Sequence, residues 1–182
     1  MNAIQKTIGG LLLCGAICLC GCAPMPAQFP ELPLSMVEPY FIGAAEVEAI
    51  DTAFYQVKDA NGALIGTVLF SMPFTESVKG YNGTTPLLIA LDAEDHITNV
   101  TLLPNHETPR FAERVAAAGL YEVWNGLSVD EAIEKPVDAI SGATYTSTGV
   151  KNTLKARLET YQRQLTKDRN LKNNFWHRLF SK

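Results

Sequence analysis

Residues 86–103 read PLLIALDAEDHITNVTLL: two strand-like apolar runs, 86–92 and 96–103, joined by the turn Ala93-Glu94-Asp95. Such a pair specifies antiparallel strands. Working upstream, the strand pattern starts at Thr52 with AFYQV, and ALIGTVLF follows after Asp59-Ala60-Asn61-Gly62. The Asn-Gly pair predicts a tight hairpin, because it supplies residues that tolerate φ > 0. Downstream of Pro104 the period lengthens. Thr108 is placed to cap a helix, Pro109 suits its first position, Phe111 and Val115 repeat at i, i+4, and Gly119 ends a run of about ten residues. Ser128 and Glu131 form a capping box for a short helix through Ile133, stopped by Pro136. A long helix follows, with Val150, Leu154, Leu158, Tyr161 and Leu165 on one stripe. Four or more strands with segregated helices give an α+β fold, an antiparallel sheet with helices packed against it in a single domain.

Composition agrees with one folded unit plus extensions. The 182 residues are 47% apolar and 19% charged with a net charge of -4, and 13 Gly and 10 Pro are too few for a collagen-like or low-complexity chain. Cys14, Cys18, Cys20 and Cys22 all lie in the first 22 residues, so the folded part has no thiol for a disulfide, a Cys-ligated zinc or an iron-sulfur cluster. Any redox cofactor there is organic.

The N-terminus has the layout of a secretion signal: one cation, Lys6, then the apolar run Ile8 to Ile17, then Leu19-Cys20-Gly21-Cys22. That last quartet resembles the lipobox of bacterial lipoproteins, which implies lipidation of Cys22 after cleavage. The apolar stretch from 8 to 23 is shorter than the ~20 residues a spanning helix needs. The expected organisation is a signal at 1–21, a lipid-anchored proline-rich tether at 22–36, the folded domain at 37–165 and a basic, aromatic tail at 166–182. Charge divides along the chain, -12 over 22–150 and +7 over 151–182. The end of the tail, NLKNNFWHRLFSK, mixes cations with Phe175, Trp176 and Phe180, which suits a membrane interface or a dock on the acidic body or a partner. Export and acidity argue against nucleic acid.

The chemistry lies in Asp138-Ala139-Ile140-Ser141-Gly142-Ala143-Thr144-Tyr145-Thr146-Ser147. Small residues expose backbone N–H groups, and the helix that follows aims its positive end at the same point, which favours a phosphate. An ordinary helix cap uses the same residues, and physics alone leaves both uses open. Other motifs fail on spacing. His106-Glu107 has Arg110 where a zinc protease needs its second His, Ser147 and Lys151 are four apart instead of three, and no G-x-S-x-G is present.

Asp-x-x-Ser-Gly-Ala-Thr resembles the flavinylation motif of FMN-binding domains, a family found in the C subunit of the sodium-translocating NADH:quinone oxidoreductase, in the G subunit of Rnf complexes and in exported lipoproteins. Gly80-Tyr81-Asn82-Gly83, the 87–103 hairpin and His106-Glu107-Thr108-Pro109 resemble further parts of that family in the same order. The resemblance implies FMN joined by a flavin transferase as a phosphoester to Thr144. It implies a phosphate site at Ser141, Gly142, Ala143, Thr146 and Ser147, a transfer role for Asp138, and flavin contacts from Glu107, Thr108, Phe111 and Tyr81. Arg110-Phe111 replaces the usual Gly-Leu, which leaves the Phe111 ring two uses, packing on the flavin or joining the helix core. The function implied is an exported, lipid-anchored electron carrier on the periplasmic or cell-surface side of a bacterial membrane, relaying between donor and acceptor redox proteins. A phosphate-binding lipoprotein without redox role and a component of a flavin-dependent reductase are the rivals.

Overall fold

The computed structural model describes residues 30–180, with side chains as far as Lys167; Cys22, the leader and the aromatic side chains of the tail lie outside that description. Strands Glu46–Asp51 (β1), Phe54–Lys58 (β2), Leu64–Phe70 (β3), Leu87–Asp92 (β4) and Ile97–Leu102 (β5) form one antiparallel sheet in sequence order. Both expected hairpins are present, with β3 continuing onto β4 in the register Leu69↔Ile89. The helices are Leu34–Val37 (α1), Pro109–Ala117 (α2), Val129–Glu134 (α3) and Thr144–Phe180 (α4), with a 3-10 turn at Tyr121–Trp124. Among the described residues no helix is long and apolar enough to cross a membrane.

Strand side chains alternate between two packed faces. Phe54, Leu69, Leu87, Ile89 and Leu91 join Val115, Trp124, Val150, Leu154 and Leu158 in the larger core. Tyr55, Val57, Val68, Leu88 and Ala90 form a second cluster with Val37 and Phe41. Burial on both faces explains why β4 reads as an unbroken apolar run. The stripe along α4 is the main anchor of that helix, since a fully buried leucine such as Leu158 contributes about 2 kcal/mol whereas propensity differences are tenths.

Several expectations change in detail. Leu32 and Leu34, inside the stretch read as tether, pack against the second cluster, so the domain's cover begins before residue 37. Strand β1 adds an edge that the strand pattern starting at Thr52 does not include; its EVEAID alternates acids with apolar residues and carries half-buried side chains. At the first hairpin only Gly62 takes positive φ, at 77°, and Asn61 does not, because Asp59 Oδ1 accepts the N–H groups of Asn61 (2.8 Å) and Ala63 (2.9 Å) and shapes the turn itself. The capping box of α3 is complete, whereas Thr108 occupies the N-cap of α2 without a side-chain cap bond.

Two phenols are shielded by this packing. Tyr161 donates to Asp95 Oδ1 at 2.6 Å, and burial, reinforced by that carboxylate, raises its pKa well above 10. Burial, with the Glu122 carboxylate nearby, pushes Tyr121 up to about 12. A raised folded-state pKa stabilises fully below the unfolded value near 10 and is lost as pH rises beyond it. Desolvation of Arg157, pushed down to about 10, acts in the opposite direction over the same window. Phenolate absorbance at 295 nm is therefore the diagnostic. Tyr121 and Tyr161 should ionise only at the unfolding transition; ionisation of both near pH 10 on the folded protein would refute this.

Candidate functional site

Helix α4 begins at Thr144. Its first intrahelical bond runs from Ser147 N to Ala143 O at 2.9 Å, which leaves the N–H groups of Thr144, Tyr145 and Thr146 at the positive end of the helix. Thr144 is exposed, and its Oγ1 makes only a long contact, 3.5 Å, to Ile140 O. The hydroxyls of Thr146 and Ser147 are buried and bonded within the fold. Ser147 Oγ accepts Ile140 N at 2.9 Å and donates to Thr144 O at 3.1 Å, while Thr146 Oγ1 donates to Glu107 Oε2. Both are fully buried, so they brace the turn instead of facing an anion. The Ala143 N–H is likewise committed, to Ile140 O at 2.9 Å. Ser141, Gly142 and Asp138 are exposed.

Glu107 is placed differently from the flavin-edge role expected of it. It is buried, and besides Thr146 its carboxyl accepts Asn82 N at 2.8 Å and Tyr81 N at 3.2 Å. Its own N–H is held by Asn105 Oδ1 at 2.8 Å, and Asn82 Nδ2 reaches His106 O at 2.7 Å. One side chain thus staples the 80–82 loop to the first turn of α4. That loop also lies directly on the helix: a Cβ on Gly149 would sit 2.6 Å from Gly80 Cα, a contact only glycine permits.

The staple positions an aromatic cleft of about 190 Å³ lined by Tyr81, Phe111, Gly142, Ala143, Thr144, Tyr145 and Thr146. Tyr81 meets Phe111 edge-to-face at 4.9 Å and lies 6.4 Å from the ring of Tyr145. Tyr81 and Tyr145 are 58% and 71% exposed, an unusual solvent exposure for aromatic rings grouped around one hydroxyl. Thr108, capping α2, is outside the cleft lining. Sequence reasoning did not single out Tyr145 or Arg114. Arg114 Nη1 donates to Ser141 O at 3.3 Å, and the signal available was its i+3 spacing from Phe111 on α2.

An exposed hydroxyl at a helix N-terminus beside exposed rings fits a phosphate-bearing planar cofactor. Over 155 residues the chain is 25% identical to a component of the Na(+)-translocating ferredoxin:NAD(+) oxidoreductase complex of Acetobacterium woodii, covering 76% of this chain and 70% of that one. It is also similar to the crystal structure of Shewanella oneidensis NqrC, at a TM-score of 0.41 and 22% identity over 62% of this chain and 60% of that one, less than two thirds of the latter. Residues 80–159 match the FMN-binding domain family. The segment that contributes every lining residue of the cleft, together with its Glu107 staple, is an FMN-binding domain.

Proposed function

We propose that the protein carries one FMN as a phosphoester on Thr144 and relays electrons between redox proteins outside the cytoplasm. The observation that carries this reading is the exposure of Thr144 at the mouth of the aromatic cleft, while Thr146 and Ser147 beside it are buried and hydrogen-bonded. Of the three aliphatic hydroxyls in the first turn of α4, those of Thr144, Thr146 and Ser147, only that of Thr144 is presented for modification.

Attachment needs FMN whose phosphoryl already bears a leaving group, as in flavin adenine dinucleotide. The Thr144 Oγ1–P bond forms, the P–O bond to adenylate breaks with its electron pair leaving on adenylate, and the hydroxyl proton passes to solvent or to a base of the flavin transferase. Exposed Asp138 serves that transferase. The free first-turn N–H groups of α4 receive the phosphoryl oxygens, and Tyr81, Phe111 and Tyr145 shield the ring. Bound FMN supplies a centre that takes up and releases electrons singly or in pairs. The Acetobacterium woodii relative belongs, by its name, to a ferredoxin:NAD(+) oxidoreductase complex, which supports exchange with protein partners. The leader and Cys22 support export and a lipid anchor, where a covalent link keeps the cofactor from being diluted away.

The test is in-gel flavin fluorescence under denaturing conditions after co-expression with a flavin transferase. Wild type should glow and Thr144→Ala should be dark at unchanged yield of folded protein. A dark wild-type band beside an active transferase would overturn the proposal.

A further inference from the structure

We infer that Arg114 is the cation that holds the phosphoryl group on Thr144, a role that rests on the attachment proposed above. Three observations converge on it. Gly142, two residues before Thr144, has φ 77°, and a Cβ there would lie 2.3 Å from Arg114 Nη1. The missing side chain therefore opens the space that the guanidinium fills. Arg114 Nη1 is tied to Ser141 O at 3.3 Å, so the group is already parked on the attachment turn. Finally, Arg114 is exposed and has no ion-pair partner among the described residues.

A phosphodiester carries one negative charge with two free oxygens, which a guanidinium matches with paired N–H donors. The need for such a cation is acute here, because residues 22–150 carry a net charge of -12 and repel an anion at long range. The helix N-terminus alone offers a partial charge, screened within one turn. Arg114 adds a full one at the other side of the turn.

The experiment compares wild type, Arg114→Ala and Arg114→Lys, each purified before and after flavinylation. Within each variant, the thermal midpoint of the unmodified protein is subtracted from that of the flavinylated one, so any effect on folding cancels. Wild type should gain stability on flavinylation, with a gain that shrinks between low and high NaCl. Arg114→Ala should show a smaller gain insensitive to salt, and Arg114→Lys an intermediate one. The initial rate of flavinylation from limiting flavin adenine dinucleotide should fall about threefold to tenfold in Arg114→Ala and recover in part in Arg114→Lys. Flavinylated wild type and Arg114→Ala with equal gains and equal rates would overturn this inference alone. A wild type that takes no flavin would overturn the attachment and this inference with it.

Discussion

Glu107→Ala is expected to lower stability by about 3–5 kcal/mol, the cost of emptying a buried site and leaving one buried and two partly buried donors without their shared acceptor. The loss falls on Tyr81 N, Asn82 N and Thr146 Oγ1, two of them backbone groups that cannot turn away. Glu107→Gln separates the contributions. Its amide oxygen can still serve Asn82 N, and the Thr146 hydroxyl can reverse and accept from the new NH₂, so only Tyr81 N is stranded. The cost should be about 1–2 kcal/mol. Urea unfolding followed by circular dichroism gives both numbers. The site should respond as well, because the loop carrying Tyr81 is released from α4: flavin attached to the folded fraction of Glu107→Ala should be more accessible to iodide quenching than in wild type. Equal stability of the alanine variant and wild type would show that the staple does not hold.

Arg157→Ala is expected to cost a similar 3–5 kcal/mol by a different route, through a cavity and the loss of the guanidinium's hydrogen bonds to Phe70 O and Ala53 O. Arg157 is fully buried, with Nε on Phe70 O at 2.7 Å, Nη2 on Ala53 O at 3.0 Å, and its guanidinium 4.8 Å from the ring centre of Phe74. No carboxylate forms an ion pair with it among the described residues; Gln164 bridges instead, accepting from Nη1 at 3.4 Å and donating to Asp51 Oδ2 at 2.6 Å. Arg157→Lys keeps the charge but replaces a planar fork that reaches the two carbonyls from separate nitrogens with one compact ammonium, at about 2–3 kcal/mol. Arg157→Met fills the space without a buried charge and should be milder than alanine. Because Arg157 lies on α4 between β3 and the turn at Ala53, far along the helix from Thr144, the folded fraction of each variant should accept flavin as wild type does. An alanine variant as stable as wild type would refute the clamp.

The parts legible in the sequence were those written in local patterns. Strands β2 to β5, the capping box at Ser128 and Glu131, and the stripe from Val150 to Tyr161 follow from periods of two and 3.6. The turn at 141–147 was legible as a helix start because small and hydroxyl residues cluster there. What stayed hidden depends on contacts across long sequence separations. Glu107 reads as a surface acid before a helix until its partners 25 and 39 residues away are folded against it. Arg157 interrupts an apolar stripe, and only tertiary packing reveals that it belongs inside. Arg114 meets the turn 27 residues downstream, beyond any local pattern. The short cover at Leu32 and Leu34 sits among prolines, whose composition resembles a linker even where the chain packs.

That cover has a mechanical consequence. Leu32, Leu34, Val37 and Phe41 lie on the sheet face opposite the one that packs α2 and α4, so the chain arrives at residue 30 behind the sheet and the cleft opens in front of it. A pull on the chain at residue 30 would therefore load the back of the five-stranded sheet, through the contacts of Leu32, Leu34 and Val37, and leave the turn at 141–147 on the opposite side unstressed.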